Sequence, residues 1–549
     1  MVRGGGAIEW WRGAVIYQIY PRSFADSNGD GVGDLPGLIE RLDHVASLGV
    51  DAIWVCPFYH SPQRDFGYDV ADHCAVDRDF GTLADADRLI ASAHARGLRV
   101  LLDLVGGHTS DRHPWFQASR RSRTAPTADW YVWADPAPDG TPPNNWLSVF
   151  GGSAWTWEPR RRQYYLHHFL GSQPTLNLNN EEVVEALLGI ARFWLDRGVD
   201  GFRIDAVDFL THDPALRSNP AQPPAGGVVP AKLFGLQQHL HDMIQPGTLA
   251  VLRRLRALLD KYPGAVALGE VSSQDGAFER IAAYTAGEDL LHMAYTLRPL
   301  RHGFDHPTVA ALLQDAMAAS AHGWPCLSFS NHDVERAASR WAPRGPDGVA
   351  RPDPRFTRLL LTLQLTLPGS VCLYQGEELG LPDAVLAEHE IRDPFGTAYW
   401  PEFKGRDGSR TPMPWQRTAP HAGFTTGTPW LPVPEPHRAL AADAQEADPD
   451  SVLRFCRALL RLRRAEPALR RGEAMPLALK APLLGFIRRD GMRSVSVVCN
   501  LSDRPVPLPD SLRDLSVLAG GVEGAALPPF GVALLVPATQ RVPEPALAG

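Results

Sequence analysis

Three stretches of this chain share one grammar, and that repetition constrains the fold more than any other feature. "IERLDHVASLGVDAIWV", "ADRLIASAHARGLRVLLDLV" and "LLGIARFWLDRGVDGFRIDAV" each run from an amphipathic helix through a glycine (Gly49, Gly97, Gly198) into a short apolar strand. The strands are apolar on both faces, as expected of a parallel sheet covered by helices. Further strand candidates are "AVIYQIY", "AVALGE", "LLHMAY", "CLSFS" and "SVCLYQ", with helical patterns between them, which makes eight in all. A closed (β/α)8 TIM barrel of the α/β class is the economical fold, and a doubly wound sheet is the alternative.

Two regions break the grammar. Residues 109–178 are rich in Trp, Pro, Asn and Gly and read as an irregular domain inserted after the third strand. From residue 473 the helical period gives way to short alternating runs such as "RSVSVVCNL" and "GVALLVP", the pattern of a small all-β domain. The expected division is therefore a barrel in two parts, 1–108 and 179–472, around an insert at 109–178, with a C-terminal β domain at 473–549. A second Pro- and Gly-rich insertion, 378–448, follows the eighth strand.

Composition excludes some partners. A net charge of −8 gives no electrostatic reason to bind nucleic acid or an anionic membrane. The basic runs "SRRSR" (119–123) and "RLRRAEPALRR" (461–471) read as solvated helix faces. The six cysteines show no CxxC spacing and read as buried thiols. "MVRGGGAIEWW" has no apolar signal core, and no run is long and apolar enough to span a bilayer, so a cytoplasmic protein is expected.

Polar residues gather at the strand ends, where a barrel carries its chemistry. The third strand ends "LLDLVGGHTS" (Asp103, His108) and the fourth "GFRIDAVD" (Arg203, Asp205). The fifth ends "ALGEVSS" (Glu270) and the seventh runs into "SFSNHDVER" (His332, Asp333). After the first strand, "FADSNGDGVGDLPG" sets Asp26, Asn28, Asp30 and Asp34 among glycines, copying the start of a calcium loop. Gly37 stands where an EF-hand would close with a carboxylate, and the flanks are not helical. The loop is either a metal site of another fold or an acidic turn.

These four strand ends resemble the four signature regions of glycoside hydrolase family 13, the α-amylase superfamily. "WWRGAVIYQIYPRSF", "DFGYDVADH", "QPTLN", "SNHDVER" and "GRDGSRTPMPW" are similar to its α-glucosidase/oligo-1,6-glucosidase branch. The likeness runs from about residue 9 to 470 and includes the terminal β domain. It implies that Asp26, Asn28, Asp30, Asp34 and the Val32 carbonyl bind a structural Ca²⁺ or Mg²⁺, with no organic cofactor.

Cleaving an acetal with retention needs a carboxylate nucleophile and a protonated carboxyl about 5–5.5 Å apart. Asp205 is the candidate nucleophile, kept ionised by Arg203, and Glu270 is the candidate acid/base, its pKa raised by desolvation. Asp333 would hold ring hydroxyls and favour the oxocarbenium-like state, and His108 and His332 would hydrogen-bond the glucose unit. The resemblance adds an Asp65–Arg406 pair gripping the non-reducing end, Tyr68 stacking beneath the ring, and Phe150 and Phe169 as walls. Arg410 reads as structural.

Three positions depart from the pattern. Gly107 stands where many relatives have the Asn that binds calcium in α-amylases. Thr175 replaces an Asp in "QPTLN". Ala206 follows the nucleophile where α-1,6-specific members carry Val, which points to an α-1,4 preference.

The expected activity is a retaining exo-α-glucosidase of short, maltose-like substrates that also transfers glucose to hydroxyl acceptors, working as a monomer or homodimer. The alternatives are an oligo-1,6-glucosidase and a glucosyltransferase or isomerase of the amylosucrase-, trehalulose- or trehalose-forming type. A transporter subunit with an inactive hydrolase domain would show an anchor and damaged catalytic positions, and this sequence shows neither.

Overall fold

All eight expected strands occur in the computed structural model, which describes residues 9–223, 232–273, 275–296, 303–344, 351 and 353–540. They are β1 Val15–Ile19, β2 Ala52–Val55, β3 Arg99–Leu104, β4 Gly201–Ile204, β5 Val266–Val271, β6 Met293–Thr296, β7 Cys326–Ser328 and β8 Ser370–Tyr374. Every neighbouring pair is parallel, in the order β6-β5-β4-β3-β2-β1-β8-β7. A parallel bridge from Ala294 in β6 to Pro325 before β7 brings the two edges together, so the sheet is a nearly closed barrel.

The helices that cover it begin where the sequence supplies caps. Thr82 and Asp85 form a capping box at the start of Leu83–Ala95, and Asn180 caps Glu181–Leu195. Gly49, Gly97 and Gly198 follow helix ends with φ of +85°, +73° and +97°. A Cβ at Gly49 or Gly97 would meet nothing within 4 Å, so the left-handed backbone alone demands glycine there.

Strand alternation sorts the barrel into two layers. Ile16, Trp54, Leu101, Leu268, Met293 and Tyr374 fill the interior. Tyr17, Ile53, Val100, Phe202, Leu327 and Leu373 pack outward into the shell shared with the helices. Gln18, Asp103, Arg203 and Glu270 fall on the inward register, and all four are buried.

Between β3 and the helix Glu181–Leu195 the chain forms a short helix, Pro114–Ser119, and a three-stranded antiparallel sheet, Trp133–Ala134, Gln163–Leu166 and Trp155–Glu158 in spatial order. This region has its own core around Trp146, Trp155 and Leu166. Beyond the helix Val452–Ala465 lies a five-stranded antiparallel sheet, ordered Glu473–Pro476, Leu483–Asp490, Arg493–Asn500, Val532–Val536 and Ser516–Gly520.

One expectation fails here. Arg463, within the basic run 461–471, is not solvated but buried, donating to the carbonyls of Leu365, Leu469, Gly13 and Gly369. A planar guanidinium can satisfy several chain-end carbonyls at once, and here it ties the barrel's base to its last helix. Five of the six cysteines are buried free thiols, while Cys74 is partly exposed. Among the described residues no helix is long and apolar enough to cross a membrane.

Candidate active site

Arg203 is the hub of the site. It projects from β4 into the barrel mouth with no solvent exposure, and its guanidinium reaches three carboxylates. Nη1 donates to Asp103 and, at 2.7 Å, to Oδ1 of Asp205, while Nη2 donates to Oε2 of Glu270. Nη2 also donates to the Tyr295 hydroxyl at 2.9 Å, and Trp54 Nε1 donates to Asp103 at 2.7 Å. Glu270 accepts a further bond from the Ala206 amide at 3.1 Å.

Burial raises the Asp205 and Glu270 carboxyls to about 7 each, although Arg203 pulls both down. Asp103 rises to about 6 for the same reason. Two carboxyls that share one guanidinium and repel each other release their protons in succession. Their ionisations are therefore linked, and each favours the neutral form of the other.

A second cluster faces the first. Asp333 Oδ1 accepts from Arg406 Nη1 at 3.1 Å and from Arg410 Nη2 at 2.9 Å. Against the cost of burial, the Arg406 and Arg410 guanidiniums hold Asp333 far below the usual carboxylate range. Arg406 Nη2 meets Asp65 at 2.7 Å, so two residues 341 positions apart form the expected pair. Three arginines thus face six carboxylates in one pocket (Asp65, Asp103, Asp205, Glu270, Asp333 and Asp393), a field that favours developing positive charge.

Aromatic and histidine side chains complete the walls. Tyr68 is buried, with one face stacked on His332 at 5.1 Å. His108 Nε2 lies 3.1 Å from the Tyr68 carbonyl, and burial keeps this imidazole neutral, lowering it to about 4. Phe169 packs on His108 at 5.1 Å, and Phe150 lies under the Arg406 guanidinium at 5.3 Å. Ala206 takes a left-handed backbone (φ 41°, ψ 55°), costly for a residue with a Cβ and worth roughly 1–2 kcal/mol of strain. That turn aims its amide at Glu270 and its methyl at an apolar group with Phe209 and Met243, next to Phe169.

Every expected catalytic and substrate-binding side chain falls in this one region. Sequence reasoning passed over others. Asp393 grips Arg406 through Nε (3.1 Å) and Nη2 (2.7 Å), and the arginines, against the cost of burial, hold it at about 2. Its place before Pro394 reads as an ordinary helix cap, which hid the second role. Gln173 reaches Asp65 at 3.0 Å, and Arg410, read as structural, contacts Asp333 directly. Tyr295 was findable, since it is a polar-tipped residue at a strand's C-terminal end. Thr175, in place of an Asp, bonds His168 Nδ1 through Oγ1 at 3.1 Å.

The loop at 26–34 is wound by its own side chains. Asp26 accepts from the amides of Asn28, Gly29 and Gly31, Asn28 from that of Asp30, and Asp30 from that of Val32. Asp34 caps the helix Leu35–Glu40 and accepts from Ser27. Burial raises the Asp34 carboxyl and the neighbouring Asp26 charge adds to it, a repulsion that a cation would relieve. Hard oxygens on a glycine-rich turn suit Ca²⁺ or Mg²⁺. Among the described residues no three His, Cys, Asp or Glu side chains converge as a metal cluster. A cation here would therefore also need the Asn28 amide and the Val32 carbonyl.

Comparison with known proteins gives a consistent picture. A family model described as the alpha amylase catalytic domain matches residues 18–472. A "Probable alpha-glucosidase" of Rhizobium meliloti (strain 1021) is 52% identical over 517 residues, covering 93% of this chain and 93% of that protein. An oligo-1,6-glucosidase of Heyndrickxia coagulans is 37% identical over 555 residues, covering 94% and 96%. Among solved structures, the alpha-glucosyl transfer enzyme XgtA superposes with a TM-score of 0.92 at 50% identity, covering 97% of this chain and all of that one.

Proposed function

This chain belongs to the α-amylase family and is a glycoside hydrolase, and from that premise we propose a retaining exo-α-glucosidase that also transfers glucose. The observation that carries the reading is Arg203 holding Asp205 and Glu270 on one guanidinium. That keeps the two carboxyls near each other, as the short separation of a retaining pair requires.

In the first step Glu270 gives its proton to the leaving oxygen while Asp205 attacks the anomeric carbon, forming a glucosyl ester. In the second, Glu270 takes a proton from water or another hydroxyl, which attacks the same carbon and frees Asp205. The field of carboxylates stabilises the oxocarbenium-like charge in both steps.

The Asp65–Arg406 pair, backed by Asp393 and stacked on Phe150, blocks the pocket behind one sugar unit. An end-acting enzyme on short α-glucosides follows, and a long polymer is a poor substrate. The α-1,4 preference rests on the small Ala206. Transfer is supported by the apolar Ala206–Phe209–Met243 group beside the acid/base, which disfavours water, and by the likeness to a transfer enzyme. Residues 224–231, which follow β4 in the chain, lie outside the described residues.

The 26–34 loop is proposed to hold a structural Ca²⁺ or Mg²⁺ through Asp26, Asn28, Asp30, Asp34 and the Val32 carbonyl. The ion would neutralise the loop's charge and take no part in the chemistry.

The test is to compare initial rates on maltose, isomaltose and soluble starch and to identify products at high maltose. Maltose should lead and oligosaccharide products should appear. Starch turned over as fast as maltose would overturn the closed pocket, and a large preference for isomaltose would overturn the linkage assignment.

A further inference from the structure

The imidazole of His332 is held on both faces and at one nitrogen. Tyr68 stacks on it with planes 3° apart, and Tyr20 stacks on it at 5.8 Å and 17°. Its Nδ1 lies 2.8 Å from Nε2 of Gln18, a side chain on β1 with no solvent exposure. Its Nε2 is buried without a hydrogen-bond partner, 3.3 Å from Asp333 Oδ2.

These contacts favour one place for the ring's proton. With the Gln18 amide turned so that Nε2 faces the ring and its buried Oε1 is left without a partner, Nε2 donates and Nδ1 is the acceptor. The ring's proton is then on Nε2. The other end of the ring gives an independent reason. A bare Nε2 lone pair 3.3 Å from an ionised Asp333 would be repelled, whereas an Nε2–H there is attracted. With no protein partner in line, that N–H is left for a ligand.

We propose that Gln18 is a positioning residue that locks His332 in the Nε2–H tautomer, so that His332 donates a hydrogen bond to a hydroxyl of the bound glucose unit alongside Asp333. The inference rests on the reading of this site as a glucose pocket. With the opposite tautomer the same ring would present a lone pair to Asp333 and could donate nothing to the sugar.

The charged groups facing His332 support a neutral ring. Asp333 alone favours the imidazolium, while burial and then Arg410, Arg203 and Arg406 oppose it, lowering the ring to about 3. Its other close neighbours, Tyr20, Tyr68, Trp54 and Cys56, are uncharged, since burial raises the phenols and the thiol. A neutral imidazole has one proton to place, and Gln18 decides where it goes.

The experiment uses protein labelled with ¹⁵N-histidine, with the His332 signals identified by their loss in His332→Gln. The wild type should show Nε2 protonated and Nδ1 bare across the working pH range. Gln18→Glu places an acceptor beside Nδ1 and should protonate that nitrogen, with a new ionisation appearing in the pH profile of kcat/KM. Gln18→Met keeps the volume and removes the donor.

Both variants should lose about 10–100-fold in kcat/KM on an aryl α-glucoside, the range for a hydrogen bond to a charged or polarised partner. Against a series of monodeoxy α-glucosides that loss should collapse for the one analogue lacking the hydroxyl that His332 serves. A wild-type Nδ1–H, or the same loss for every analogue, would overturn the proposal. If Gln18→Met does not fold, the wild-type spectrum and the Gln18→Glu profile still decide. The expected tautomer in a protein that cleaves no α-glucoside would overturn the reading of the pocket, and with it the sugar contact.

Discussion

Replacing Glu270 by Gln separates its proposed role from its structural one. Glu270 Oε2 accepts from Arg203 and from the Ala206 amide, and a Gln oxygen can accept both bonds. The fold should therefore survive, while the side chain loses its proton and its charge. Burial lifts the Glu270 carboxyl from 4.5 to about 7. Far more of it is then protonated at neutral pH than of an unshifted carboxyl.

General acid catalysis contributes about 10²–10⁴-fold where the leaving group needs a proton. Glu270→Gln should lose that much kcat/KM on maltose or a methyl α-glucoside. On a dinitrophenyl α-glucoside, whose leaving group departs without help, the loss should stay under about tenfold. The pH profile gives a second readout with a definite sign. The protonated form of a raised carboxyl is the active one, so wild-type kcat/KM on maltose should fall as pH rises through about 7. On the activated substrate that alkaline limb should be absent from the variant. Equal slowing across the leaving-group series, or an alkaline limb that persists in Glu270→Gln, would refute the assignment.

Two further outcomes follow from the same site. Asp205→Asn should fold normally, since an amide oxygen can still accept from Arg203, but lose several orders of magnitude on every α-glucoside; near-normal hydrolysis of an aryl α-glucoside would remove Asp205 as nucleophile. Excess chelator should lower the melting temperature while the enzyme that stays folded remains active, because a site held at 100 times its dissociation constant adds about 2.7 kcal/mol to the folded state. An unchanged melting temperature would leave 26–34 an acidic turn.

Local rules determined the barrel. Helix caps, the left-handed glycines at 49, 97 and 198, and strands apolar on both faces are all properties of a few neighbouring residues, so eight strands could be read off in order. The residues at the strand ends were legible for the same reason, because the topology of a barrel brings those ends to one rim.

Everything that sets the state of those residues came from long range. Arg203 meets Asp103 and Glu270 across 100 and 67 positions, and no sequence pattern states that one guanidinium serves both. Arg463 lay in a run expected to be a solvated face, and nothing in the sequence marked Asp393 or Gln18. Each acquired its role from partners 13 to 450 positions away. A capping or turn residue answers to its own backbone. A buried charge, or the tautomer of a buried ring, answers to whatever the fold places beside it, where desolvation and the few neighbouring dipoles outweigh anything local.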